Sequence, residues 1–335
     1  MRILNETTQR HFANFICRFG DDKVLLDYAK SIVVPAFTKD TYVRSYGKKT
    51  HYHFYEVELM DLAEENDDPI MVLAGRFVKQ TELTRTQVFD DSKGLVHDEA
   101  SLLSAPSAFF VLMLNNHRLI YFPETPHAPD INAFRVTAQQ FLRQRHKEAI
   151  DLKYEKTRAE DEPPTKKSLY EAHPRPSLEV VPLTGKADIA TFMRRFEKLK
   201  KINFRVVKPN DDINAGEILG QVRELSDALG STSTKVTASS GDGLDIPAAI
   251  EAVTEATGSG NQDVSVSGLD TNGNSLSGNN EQFRLSAEIE NVPLKKGSLV
   301  RRLVDTFSQL RSAGSINAPS ADANAVKVKK LRNLL

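Results

Sequence analysis

The sequence predicts an α+β protein: a strand-rich antiparallel first part followed by an α/β layer domain. Three patterns carry this expectation. "HYHFYEVEL" alternates aromatic and β-branched residues, as a half-buried strand does. "SAFFVLMLNNHRLIYFPET" holds two apolar runs joined by Asn115-Asn116, a hairpin in which Asn can take the positive φ of a tight turn. From residue 178 onward, strand-like and helix-like segments alternate, the mark of stacked layers.

In order, "RHFANFICRF" reads as a strand and "GDDKVLLDYAKSI" as a short helix. "HYHFYEVEL" follows, then "DLAEENDDP" as a break, then "IMVLAGRFVKQ" and "TRTQVF" as two further strands. After the Asn-Asn hairpin, Asp130 is a natural N-cap for a helix over "INAFRVTAQQFLRQRHKEA". These elements fill a first domain over 1–154. Residues 155–177 carry four prolines and mixed charge, which reads as a linker. A second domain over 178–311 opens with strand "LEVVPL", a helix over 187–199 and strand "INFRVVKP". It continues with a helix ending at Gly230, strand "STKVTASSG", and a helix with Pro247 in its first turn. "DVSVSGLDTNGN" is expected to pair with "EQFRLSAEIENV", with Asn272-Gly273 near the turn, before a closing helix over "KKGSLVRRLVDTFSQLRSAG". Residues 312–335 read as a flexible basic tail.

A chain of 335 residues is long enough for about two domains and a core that needs no staples. The single cysteine, Cys17, excludes an internal disulfide and sits in an apolar strand, where a buried, inert thiol is expected. No apolar run approaches the ~20 residues of a membrane span, and the first residues lack a signal-peptide pattern. The expectation is a cytoplasmic protein without membrane insertion. A net charge of −1 conceals segregation. Residues 143–208 carry 17 Lys+Arg against 10 acids, residues 209–294 only 3 against 14, and residues 295–335 again 9 against 2. Blocks of this kind shape association more than fold.

Catalytic patterns are thin. His51 and His53 share a strand face but lack accompanying cysteines or an HExxH motif, so they read as ordinary strand residues and no metal site is assigned. The glycine-rich "SSGDG" and "GSGN" lack the Lys-Ser/Thr of a phosphate loop, and Asp242 and Asp245 would repel a phosphate. Glu56 and Glu58 alternate with apolar residues and read as the wet side of a strand. No nucleophile elbow occurs, no catalytic residue is nominated, and no cofactor is expected.

The strongest signal is cationic. In the helix over 187–199, Ile189, Phe192, Met193, Phe196 and Leu199 make a core stripe, leaving Arg194, Arg195 and Lys198 outside, with Lys200, Lys201 and Arg205 just beyond. The closing helix repeats the layout, with Lys295, Lys296, Arg301 and Arg302 opposite its apolar stripe. The helix after Asp130 adds Arg135, Arg143, Arg145, His146 and Lys147. Solvated helix faces are commonly charged, and the acidic block could neutralise these within the chain. Three such faces point instead to phosphates, because backbone affinity comes from neutralising several of them. The ten nominated side chains are expected to converge in one groove that binds double-stranded DNA with little sequence preference. A metal-dependent nuclease, or a protein-interaction module without nucleic-acid contact, are the alternatives.

The order of the hairpin "SAPSAFFVLMLNNHRLIYFPET", the helix from "PDINAF", "LEVVPLTG", "INFRVVKPN" and the late strand pair before a terminal helix resembles the RexA family of phage-exclusion proteins of lambdoid prophages. The likeness is one of segment order over most of the chain and transfers no functional residue. It implies a two-domain DNA-binding homodimer in anti-phage defence, acting with a membrane or other effector protein.

Overall fold

The computed structural model describes residues 10–64, 67–159, 162–206, 217–231, 233–258, 260, 262–287, 295–316 and 325–335. The fold is α+β, as the patterning predicts. A ten-stranded antiparallel sheet and a separate four-stranded antiparallel sheet each carry helices.

The large sheet is built mainly from β1 (Arg10–Phe19), β2 (Lys23–Val24), β3 (Arg44–Tyr46), β4 (Thr50–Asp61), β5 (Met71–Asp90), β6 (Gly94–Ser104), β7 (Ser107–Met113) and β8 (Arg118–Pro123). Alternation, interrupted in β4 between Tyr55 and Glu58, splits its side chains between two cores. Phe54, Phe77, Phe110, Leu112 and Tyr121 face one side, where α1 (Val34–Thr38) and α2 (Ile131–Thr157) cover them. Phe12, Val72, Phe109, Val111, Ile120 and Phe122 face the other. Phe134 of α2 meets the rings of Phe54, Phe77, Phe110 and Tyr121, so aromatic contacts fix α2 on its face. Asp130 caps α2 by accepting from Ala133 N–H at 2.7 Å.

Several expectations need correction in detail. "IMVLAGRFVKQ" and "TRTQVF" are one 20-residue strand, β5, rather than two. Its far half pairs with β6, a strand the sequence reading missed because "GLVHDEASLLS" carries charges in a half that has no core to face. The β7–β8 turn is present, but its positive φ falls on His117. Asn115 instead accepts from Met71 N–H at 2.9 Å and donates to Pro69 O at 2.7 Å, tying the turn to the start of β5. The expected linker contains a helix, α3 (Lys166–Ala172), and residues 155–157 are the last turn of α2.

β9 (Pro176–Pro182) pairs along its length with β1 and so joins the large sheet. The small sheet consists of β10 (Phe196–Val206), β11 (Thr234–Ser239), β12 (Gln262–Asp270) and β13 (Ser275–Asn279), in the order β11-β10-β12-β13. One face of it is covered by α4 (Lys186–Met193) and α6 (Ile246–Thr257), with Val222 of α5 (Glu217–Ala228) packed at the side. Gly230, with φ +61°, ends α5 as expected. The helix expected over 187–199 stops at Met193, and Phe196 and Leu199 belong to β10. The three-residue spacing of Phe196, Leu199 and Ile202 looks helical. It arises because β10 is irregular twice, between Phe196 and Lys198 and between Leu199 and Lys201, each time restoring an apolar residue to the core side. At the second irregularity the Lys198–Leu199 backbone lies over Gly268, where a Cβ would collide with it.

The partner of β12 is β13, not "EQFRLSAEIENV". Of that segment, β14 (Ser286–Ala287) pairs with Arg10 and His11 of β1, and residues 288–292 lie outside the described residues. The closing helix α7 (Lys296–Ser312) also returns to the large sheet: Leu299, Val300, Leu303, Val304 and Phe307 pack on Phe12, Phe109 and Phe122. Residues 325–335, expected to be a flexible tail, are docked. α8 (Ala325–Lys329) and a following 3-10 turn insert Val328 and Leu331 beside Leu25 and Leu26. Among the described residues no helix is long and apolar enough to cross a membrane.

Candidate nucleic-acid interface

The ten nominated cations do not gather in one groove. α2 and α7 cover opposite faces of the large sheet. The exposed Arg301 and Arg302 of α7 border a shallow depression with Met60, Leu62 and Asp305. Lys296 is spent on Glu58, 2.9 Å away, and on the carbonyl of Glu56. Lys295 is the N-cap residue of α7, exposed, where a positive charge faces the positive end of the helix dipole.

Arg194 and Arg195 form the turn between α4 and β10. Arg195 lies over the Phe192 ring at 5.1 Å. It also lies near Asp270, whose carboxyl is held below its usual range, first by the amide of Asn274 and more weakly by this guanidinium. Lys198 and Lys200 sit at the two irregularities of β10, Lys198 half-buried with its chain beside Gly243 and Lys200 exposed.

Lys201 and Arg205 alone enter a large cleft. It measures about 860 Å³ and lies between the small sheet on one side and β9 with the start of α2 on the other. The uncovered face of the small sheet forms its floor. Ile202, Phe204 and Val206 turn into the core under α4 and α6, so Lys201, Asn203 and Arg205 must turn outward. Cross-strand register extends them into rows. Arg205 lies between Lys235 and Asp263. Asn203 lies between Thr237 and Ser265, and Ser265 pairs onward with Asn279. Lys201 lies between Ser239 and Ser267, and Ser267 pairs onward with Ser277. The middle row is hydrogen-bonded: Thr237 Oγ1 donates to Asn203 Oδ1 at 2.9 Å, and Asn203 Nδ2 donates to Ser265 Oγ at 3.1 Å.

The charges of the cleft are unequal in availability. Arg205 donates to Asp263 through Nε at 2.9 Å and reaches Glu179 at 3.4 Å. Burial opposes its charge, but these two carboxylates outweigh burial, so the guanidinium holds its proton more firmly than usual. The carboxylate of the acidic block thus neutralises one nominated residue within the chain. Lys201 and Lys235 make no ion pair with any described residue. Across from them, Arg135 is held by the side chain of Asn132 at 3.1 Å. Sequence reasoning missed Lys235 because it stands in an acidic block, and cross-strand register was the signal that would have found it.

The remaining cations of α2 act as clamps. Arg145 bridges Glu148 and the Ser31 carbonyl, Lys147 pairs with Asp151 at 2.8 Å, and Arg143 reaches the Pro176 carbonyl. His146 is buried against the carbonyl of His173 at 2.8 Å, and burial lowers its proton affinity. Glu56 pairs with Arg76, and Glu58 with Lys296. Among the described residues no group of three or more His, Cys, Asp or Glu could hold a metal ion.

No family model matches the chain, and no curated protein matches it.

Proposed function

We propose that the protein binds the phosphate backbone of double-stranded nucleic acid in this cleft, with little sequence preference. The observation that supports the reading is the open sheet face itself: Lys201 and Lys235 make no ion pair with any described residue and stand on a floor rich in hydroxyl and amide side chains, opposite Arg135. Hydroxyls, amides and cations are the groups that hold phosphates and sugars. Among the described lining residues none is aromatic, so the floor offers no platform for stacked bases. Eight of the ten residues first nominated drop out of this reading, and Lys201, with Arg205 as its braced neighbour, is retained. The order of segments that resembles the RexA family adds a role in phage defence, tested by plaque counts with and without the protein.

The experiment is fluorescence anisotropy on a plain duplex across a salt series. Three unpaired cations, Lys201, Lys235 and Arg135, imply a log–log slope of about −2.7 at roughly 0.9 per phosphate. Affinity then falls about 40-fold between roughly 50 and 200 mM salt. Replacing Lys201 and Lys235 by Glu should flatten the slope to about −0.9 or abolish binding. Equal slopes for variant and wild type would sink the assignment.

A second reading, a protein-interaction role by self-association, has its own observation. Beyond Thr81, β5 and β6 leave the body as a two-stranded arm on which Phe89 and Leu95 are 70% and 68% exposed. Phe89 pairs with Leu95 near the tip and Leu83 with Leu102 near the base, on one face, with Gln87, His97 and Arg85 between. An apolar–polar–apolar face of this kind is self-complementary under a two-fold axis, so a second copy of the chain is the partner that fits. Light scattering of a Phe89→Asp, Leu95→Asp variant tests it: a dimer that persists refutes the arm.

A further inference from the structure

Beside the cleft lies a smaller cavity of about 460 Å³, within the size range of small-molecule sites. Ile131, Asn132, Pro182 and Glu281 line both, so the two adjoin. The walls differ from those of the cleft. Pro123, Pro129 and Pro182 supply flat apolar surfaces, with Ala128, Ile131 and Tyr121 also in the lining. Tyr121 is held in place by donating to the Pro129 carbonyl at 2.5 Å.

The polar side chains of the lining are His11, Glu281 and Arg284, with Asp130 and Asn132 at the start of α2, where the Asp130 carboxylate accepts from the Ala133 N–H. Arg284 and Glu281 form an ion pair at 2.8 Å, offering donors and an acceptor together without a net charge. His11 lies on β1 directly across from Tyr121. Neither of its ring nitrogens hydrogen-bonds to another described residue, and Nδ1 is buried. Burial, aided by the charge of Arg284, lowers its pKa to about 4, so it is a neutral ring near pH 7. Flat apolar walls, a neutral imidazole and a paired guanidinium and carboxylate suit a flat heterocycle edged with donors and acceptors, as a nucleobase is. A phosphate joined to such a base would lie on the side of the shared lining, where the cleft carries Arg135 and Lys201.

We propose that the cavity takes the base of a single unpaired nucleotide whose phosphate lies in the cleft. The inference rests on the cleft reading for the phosphate alone. A duplex keeps its bases stacked inside, so it addresses the cleft and leaves the cavity empty. A nucleoside has no phosphate, so it addresses the cavity without the cleft. A free nucleotide and a strand end present the same unit.

The test is calorimetric titration of the full chain with adenosine, guanosine, cytidine and thymidine, their 5′-monophosphates, inorganic phosphate, a short single-stranded oligonucleotide and a blunt duplex. At least one monophosphate should bind about tenfold or more tighter than inorganic phosphate. Ala128→Phe fills the cavity and should weaken that binding by about tenfold or more, with duplex affinity kept within about twofold. Arg284→Ala, at a half-exposed rim position, should weaken it as well without disturbing the core. Monophosphates that bind no better than phosphate, or that bind both variants as they bind wild type, overturn the proposal while leaving duplex binding to stand on its own. Nucleoside binding that survives when the duplex fails to bind supports the cavity and overturns the interface. Binding of a monophosphate and of the oligonucleotide supports the nucleotide unit from either source; binding of a monophosphate but not of the oligonucleotide supports a free nucleotide as the occupant.

Discussion

Leu331→Ala tests whether the last residues of the chain are structural. Leu331 and Val328 are buried at 4% and 1% exposure against the core that includes Leu25 and Leu26. Buried Leu→Ala substitutions cost about 2–5 kcal/mol when the cavity stays open. Here the peptide can lift off instead, so the loss cannot exceed the free energy of its own docking, and about 2 kcal/mol is expected. Arg332 reaches Asp61 at 2.5 Å and the Asp67 carbonyl at 3.1 Å, while Lys327 and Lys329 pair with Asp27 and Asp68. The lysine pairs are largely exposed and contribute at most about 1 kcal/mol each. Asp61 is more deeply set but keeps the Ala63 and Ile70 N–H donors when Arg332 is removed, so Arg332→Ala should cost less than Leu331→Ala. Burial alone would raise the Asp61 carboxyl, but hydrogen bonds from Arg332, Ala63 and Ile70 outweigh it and hold the group below its usual range. For a depressed carboxylate the stabilisation is present above the unfolded pKa of about 3.9 and is lost as pH falls through the folded value. Docking should therefore be intact near neutrality and fail in acid below about pH 4. The chain has no Trp, so urea unfolding is best followed by far-UV circular dichroism, with hydrogen exchange of residues 325–335 as the local readout. Stability unchanged within about 0.5 kcal/mol, with amides at 325–335 exchanging freely in the wild type, would refute the docked peptide.

Other outcomes follow from single positions. Gly268→Ala should destabilise the small sheet by about 1–3 kcal/mol, because the added Cβ meets the Lys198–Leu199 backbone rather than a side chain that could turn away; unchanged urea unfolding would contradict the geometry of β10. Cys17 is fully buried, and burial pushes its thiol up to about 12, so a thiol reagent should label it only on unfolding; prompt labelling of the native protein would place it elsewhere. His11 has a folded pKa of about 4, below its unfolded value, so the unfolded chain binds the extra proton between about pH 6.5 and 4. Stability should fall as pH drops through that window, and His11→Gln should flatten the fall; parallel pH profiles would argue against a buried neutral ring.

The expected fold was legible where one local pattern had one structural solution. The β7–β8 hairpin, the Asp130 cap and the stripe of α7 were of this kind. It failed where local periodicity was ambiguous. Phe196, Leu199 and Ile202 repeat every third residue, which a helix satisfies locally and a twice-interrupted strand satisfies only against β12. "SLSGN" has little intrinsic strand preference and becomes β13 because β12 offers it hydrogen bonds. The candidate site was half legible. Lys201 and Arg205 were named from charge, but the helix expected around them would have fanned the cations outward, whereas the strand lines up every second side chain.

By itself, the sequence determined composition, the α+β class, the apolar stripes and the segregation of charge, because these follow from residue type and short-range period. Tertiary structure decided which charges are free. Arg205 meets Asp263 and Glu179, and the basic C-terminal residues meet Asp27, Asp61 and Asp68, across distances in sequence that no local pattern encodes. Lys201 and Lys235 stay available because the ladder of β10 and β11 sets them on the face opposite the core under α4 and α6, with no ion-pair partner among the described residues. Pairing depends on position in space, and a count along the chain cannot supply it.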